Sequence, residues 1–236
     1  SVGAKQEARK FAEKSASTNK LDPADNARQG VLKLLMNDPS GVDNLELALE
    51  ENPNLKGAEL AIAYAALQSG DLDKAFSVAK KWQDQNSEAA ASYNMLAAVY
   101  IAQQKIDLAK QALQTSLTKE PDNIFALTEL AKITLNEGNK KEAESFAQRA
   151  VDKYPNNPKA LRYFYAIRSD ENSLLKIKQA YENATNNIEL TLLYVDALIS
   201  SNDLINALAV SNTMDASVKT PKKAWLQRVA IYKKQK

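Results

Sequence analysis

A single repeating period runs through the chain and limits what it can fold into. Pro53, Pro121 and Pro155 stand on one 34-residue grid, with Ser87 at the vacant point. Ala75, Ala109 and Ala143 keep the same spacing, and Gly70 and Gly138 are two periods apart. Three residue types sharing one period mark a chain built from a repeated unit. The phrase EARKFAEK at Glu7–Lys14 returns as EAESFAQR at Glu142–Arg149, close to four periods later.

One period, residues 124–157, reads IFALTELAKITLNEGNKKEAESFAQRAVDKYPNN. Leu127, Leu130, Ala131 and Thr134 recur at helical spacing, then Asn136–Asn139 breaks the helix with Gly138 suited to a left-handed turn. A second helix aligns Ala143, Ala147 and Ala150 on one face, and Pro155 stops it because proline lacks a donor and disfavours helix in the residue before it. The unit is helix, tight turn, helix, stop. Helix axes about 8–10 Å apart need small side chains at closest approach, which is the place of Ala131, Ala143 and Ala150, with Leu127, Leu130 and Phe146 filling the space around them. With only 6 Gly and 7 Pro among 236 residues and good helix formers abundant, an all-α fold is expected. A lone hairpin cannot bury its apolar face, so neighbouring units are expected to stack.

This pattern resembles the tetratricopeptide repeat (TPR) family. The period from Ala90 carries Tyr93, Leu96, Ala97, Tyr100, Ala109, Leu113, Ser116 and Pro121 at the bulky, small and proline positions that the family favours. The period from 124 departs at Thr134 and Ala147, that from 56 at Glu59 and Trp82, and that from 22 has Gly41 at a small site. A shorter period begins at 158, another at Ile188, and the grid places a last one at Lys222, with Trp225 and Tyr232 at bulky positions. The resemblance implies one array over residues 1–236, a right-handed superhelical solenoid of antiparallel helix hairpins. Residues 1–20 read as the second helix of a truncated repeat, 22–221 as about six repeats, and 222–236 as the first helix of another truncated repeat. A fragment of a longer array is the expectation, with natural capping helices as the alternative; a fragment would expose apolar end faces that favour end-to-end self-association.

Composition excludes several kinds of chemistry. Cys and His are both absent, which removes disulfides, thiol nucleophiles, the commonest general base and Ser/His/Asp arrangements. Asp71 and Asp73 in SGDLDKA read as helix-start residues and not as a metal pair. Asn183-Ala-Thr185 is a weak glycosylation pattern. The expectation is no enzyme, no catalytic or metal-ligating residue and no cofactor. The net charge of +2 conceals a gradient, since Lys219–Lys236 holds seven cations and no acid and the rest of the chain therefore carries −5. An acidic body argues against nucleic acid as a partner, and no apolar run approaches the roughly 20 residues of a membrane span. The basic C-terminal stretch reads as repeat core, with Trp225, Val229, Ile231 and Tyr232 inward, in preference to a lipid-surface helix.

The family resemblance implies a binding protein whose first helices line a concave groove. At the two groove-facing positions stand Leu60 and Tyr64, Asn94 and Ala98, Thr128 and Lys132, Arg162 and Ala166, then Leu192 and Asp196. The candidate binding residues are Leu60, Tyr64, Asn94, Thr128, Lys132 and Arg162. The lysine/asparagine clamp of chaperone-tail receptors is not in register here. Asn94, Lys132 and Arg162 form a partial cationic strip that suits an extended peptide or acidic segment of a partner protein. The expected function is a noncatalytic interaction scaffold within a larger bacterial multi-repeat protein. The alternative is a TPR segment of an enzyme, for example in polysaccharide processing, whose catalytic domain lies elsewhere. Phrases such as LQSGDLDKAFSVAKKWQ resemble the TPR lipoproteins of bacterial exopolysaccharide and PEP-CTERM sorting systems, which implies the periplasm or envelope, with the cytoplasm as the alternative.

Overall fold

Asp and Asn side chains set most of the helix starts. The computed structural model describes residues 22–55, 57–184, 186–214 and 222–234, and these hold thirteen helices and no strand. They are α1 (Pro23–Leu35), α2 (Gly41–Glu51), α3 (Ala58–Ser69), α4 (Leu72–Gln85), α5 (Ala90–Ala102), α6 (Ile106–Lys119), α7 (Ile124–Asn136), α8 (Lys140–Lys153), α9 (Pro158–Arg168), α10 (Glu171–Asn183), α11 (Ile188–Ser200), α12 (Leu204–Thr213) and α13 (Lys222–Lys234). Asp22, Asn123, Asn157 and Asn187 cap first helices of hairpins, while Asp71, Asn139, Asp170 and Asp203 cap second helices. Each accepts a backbone N–H that the helix itself cannot satisfy. Asp71, for example, accepts from Lys74 N at 3.0 Å. The fold is all-α and TPR-like, and α9, α11 and α13 begin at the predicted residues 158, 188 and 222. The phrase at residues 7–14, the side chains of Trp225 and Val229, and Thr185 lie outside the described residues.

The turn inside every hairpin carries one residue at positive φ: Asn37, Gly70, Gln104, Gly138, Ser169 and Asn202. Their spacings of 33, 34, 34, 31 and 33 reproduce the period. A left-handed residue reverses the chain within two or three positions, and glycine is only one way to provide it.

The chain divides into two compact units, residues 1–119 and 120–236. In the first, α1/α2, α3/α4 and α5/α6 are antiparallel pairs. Ala63 against Ala75 and Ala97 against Ala109 are the small, fully covered positions of the second and third pairs. In the first pair that role falls to Gly30 and Gly41. A Cβ on Gly41 would lie 2.4 Å from the Gly30 carbonyl oxygen, and one on Gly30 would lie 2.6 Å from that of Gly41. Leu45, Ala58 and Ile62 form the core beside them, with Leu34, Leu49 and Val78 packed around.

In the second unit the hairpins are α7/α8, α9/α10 and α11/α12, with α13 laid on α11 and α12. Leu127, Leu130, Ala131, Ala143 and Ala150 are all buried. Thr134, at a site the family fills with a bulky residue, is buried because its hydroxyl donates to Leu130 O at 2.7 Å. The Tyr165 hydroxyl donates to Ala197 O at 3.1 Å and ties α9 to α11. Gln227 donates to Leu192 O at 2.9 Å and to the Asp196 carboxylate, Arg228 donates to Ser211 Oγ at 3.0 Å, and Ile231 is fully covered. Helix α13 thus occupies the place of a further first helix. Tyr232 corrects the expectation, however. It is 55% exposed, since it stands on the side of α13 turned away from α11 and α12.

The α9/α10 turn is held by a charged latch. The Asp170 carboxylate accepts from Ser173 N at 2.8 Å and from Arg168 Nε at 2.8 Å, while Arg168 also reaches Glu144 at 2.6 Å. The Ser173 N–H first, and the Arg168 guanidinium after it, hold the Asp170 pKa down to about 2. A carboxyl depressed in the folded state stabilises above its unfolded pKa of 3.8, and that contribution is lost as the pH falls toward 2. The expected result is that Asp170→Asn lowers stability at neutral pH and leaves a shallower loss between pH 4 and 2. Urea midpoints measured across that range check it, and parallel pH profiles for the two proteins would contradict it.

Candidate protein-binding faces

In the second unit α7 and α9 lie side by side, and the polar side chains between them form a cluster around one carboxylate. Glu129 on α7 has its side chain 10% exposed. Lys159 Nζ on α9 lies 2.5 Å from Glu129 Oε1, and Lys132 Nζ on α7 stands 4.0 Å from Glu129 Oε2. The Lys159 ammonium also sits over the Phe125 ring, 5.3 Å from its centroid. Burial, then the Glu129 charge, pushes the Tyr163 phenol pKa up, while Arg162 pulls it down, so Tyr163 lies within the field of both. Arg162 is exposed and makes no ion pair among the described residues. The face therefore combines three cations and one acid with a half-buried aromatic ring.

Of the expected groove residues on this unit, Lys132, Arg162 and Ala166 reach the surface. Thr128 does not, and that expectation is corrected: it is 1% exposed, and its hydroxyl donates to Ile124 O at 2.8 Å and Phe125 O at 3.1 Å. Its hydrogen bond is spent on its own helix. Leu192 is buried and Asp196 half-buried, so the α11 positions offer little surface. Glu129, Lys159 and Phe125 escape a reading confined to two positions per helix. Their signal is the pair of opposite charges that Glu129 and Lys159 place on successive first helices.

The first unit has a different face. Val31, Leu35, Ala61 and Tyr64 line a groove of about 680 Å³ between α1 and α3. Leu35 is 69% and Tyr64 59% exposed. Leu60 and Asn94 are half-buried. Val31 and Leu35 take the places of Tyr64 and Gln68 one hairpin earlier, and a strict 34-residue grid misses them by a single position. Among the described residues no group of three His, Cys, Asp or Glu could hold a metal ion, and no helix is long and apolar enough to cross a membrane.

A tetratricopeptide-repeat family model matches residues 100–166, less than half of the chain. No curated protein matches. A thermophilic TPR protein of Thermus thermophilus superposes with a TM-score of 0.62 at 18% identity, over 75% of this chain and 99% of that one. PilF of Pseudomonas aeruginosa gives 0.61 at 16% identity, over 91% and 97%. A tetratricopeptide repeat protein of Parabacteroides merdae gives 0.61 at 13% identity, over 90% and 86%. At these identities the likeness is one of fold, and together with the sequence match it supports the TPR resemblance.

Proposed function

We propose that the chain is a noncatalytic protein–protein interaction scaffold that holds an acidic segment of a partner against α7 and α9, within a larger bacterial multi-repeat protein. The supporting observation is the set of Lys132, Lys159 and Arg162 on neighbouring first helices, with Glu129 as the acid that both lysines approach. TPR folds generally serve protein–protein interaction, and an extended acidic segment matches both the excess of positive charge and the length of such a face. Phe125 gives the segment an apolar surface beside the lysine. The sequence resemblance to envelope TPR lipoproteins is the reason to assign it to the periplasm or envelope. Cell fractionation tests that assignment, and recovery with cytoplasmic markers removes it. For the binding role, display of a random peptide library against the chain is expected to enrich Asp/Glu-rich sequences whose capture weakens with salt. Enrichment of neutral or basic sequences would overturn the proposal.

A further inference from the structure

Helix α7 offers an outside segment two separate points of contact. Phe125, Thr128, Glu129 and Lys132 recur at helical spacing and share one face of the helix. The middle of that face is already committed. The Thr128 hydroxyl donates to Ile124 O and Phe125 O of its own helix, and the Glu129 carboxylate holds Lys159 at 2.5 Å. The two ends are not. Phe125 is half-buried and leaves part of its ring at the surface, beside the Lys159 ammonium. The Lys132 side chain is 45% exposed, and Arg162 on the neighbouring α9 is exposed with no ion pair among the described residues. An apolar point thus stands seven residues from a cationic one, which is about 10.5 Å along the helix axis.

We propose that the segment held on α7 and α9 carries an apolar residue and an acidic residue three positions apart, in an extended polyproline-type conformation, with the apolar side chain on Phe125 and the carboxylate between Lys132 and Arg162. The inference rests on the acidic-segment reading above and adds what must accompany the acid. Its spacing follows from chain geometry. In a polyproline-type helix, residues three apart share one side and stand about 9.3 Å from each other. That is close to the separation of the two points, and the flexible lysine and arginine stems cover the difference. In a β-strand the residues on one side are two or four apart, about 6.6 or 13 Å, and match the two points less well. Coulomb attraction falls off slowly with distance and tolerates displacement along the face. Apolar contact ends beyond about 4.5 Å, so the Phe125 contact sets the register.

The acidic peptides enriched from the random library supply the test. The expected result is that they share an apolar residue three positions from an acid. In such a peptide, replacing that residue with serine, or shifting it by one position, should weaken binding to the parent chain about fivefold in titration calorimetry. Phe125→Ala should weaken the original peptide by a similar factor and leave the serine peptide unchanged, while Phe125→Leu keeps most of the preference. Phe125 is half-buried, so thermal melts check that both variants fold, and the two peptide changes decide the matter in the unaltered chain. Acidic peptides enriched with no apolar residue at a fixed spacing would overturn the inference and leave the acidic-segment reading in place. Equal loss of both peptides on Phe125→Ala would do the same. Failure to enrich acidic peptides at all would remove that reading and this inference together.

Discussion

Replacing Gly41 with alanine is expected to destabilise the first unit by about 2–3 kcal/mol, the upper part of the range for overpacked cores. The added Cβ would lie 2.4 Å from the Gly30 carbonyl oxygen and 2.9 Å from Leu34 Cγ. The leucine can change rotamer, but the carbonyl belongs to α1 and cannot move unless the whole helix does. Opening the α1/α2 pair would in turn loosen Leu45, which is fully buried beside it. The same alanine is tolerated at Ala75, Ala109 and Ala143, so the cost arises from the closeness of this one hairpin and not from the residue. Gly30→Ala should behave alike, with its Cβ 2.6 Å from the Gly41 carbonyl oxygen. The measurement is denaturation followed by Trp82 fluorescence in a Trp225→Phe background, so that only the first unit reports. A midpoint shift equivalent to less than about 0.5 kcal/mol, the usual size for surface changes, would show that the two helices are not in contact at the glycines.

The combined change Lys132→Ala and Arg162→Ala is expected to weaken binding of an acidic peptide well beyond tenfold while leaving the melting temperature nearly unchanged. Exposed ion pairs contribute only about 0–1 kcal/mol to folding, and Arg162 has no ion pair among the described residues, so the fold loses little. In the complex, a carboxylate taken out of water by the face gains about 1.5–3 kcal/mol from each charge-assisted hydrogen bond. Loss of one such bond is already about a factor of ten. Glu129 acts in the opposite sense, because its carboxylate competes with the ligand for Lys159 and repels it. Glu129→Gln should therefore bind the same peptide more tightly than the parent chain. Titration calorimetry on the three proteins checks both directions. If the double change leaves the affinity intact, α7 and α9 are not the binding face.

The repeat was legible in the sequence because close helix approach and helix termination each demand a particular residue type. Small residues must recur where backbones meet, and proline recurs where a helix must end. Those demands placed the starts at Pro158, Ile188 and Lys222 correctly. The left-handed turn residues were legible only at Gly70 and Gly138. At Asn37 and Asn202 the residue type tolerates positive φ but does not single out the position, and at Gln104 and Ser169 nothing in the residue type announces it; the tight connection between packed helices imposes it. In the first hairpin the two small positions, Gly30 and Gly41, are one residue closer in sequence than Ala63 and Ala75 or Ala97 and Ala109, which moves the first from the grid point Gln29 to Gly30. Gln29 instead accepts from Asn44 at 3.2 Å.

The candidate sites were legible in part. Lys132, Arg162 and Tyr64 reach the surface because their helix faces do. Thr128 shares a groove-facing position with them, yet its short side chain satisfies itself on the preceding turn and is covered. The Glu129–Lys159 pair escaped because it depends on how two successive first helices are placed side by side, which a period does not specify. Tyr232 was assigned to the core by register alone, and register does not say which neighbours are present to cover a given side.

Mapping a bound peptide on the chain asks most directly whether a partner lies along the first-helix face of the second unit. An acidic peptide selected from the random library, carrying a photo-crosslinker, would be bound to the chain and its attachment sites read by mass spectrometry. Attachment is expected on α7 and α9, around Phe125, Lys132, Lys159 and Arg162, and suppressed by excess unlabelled peptide. Attachment confined to the second helices α8 and α10, with the first-helix face unmarked, would contradict a partner held there.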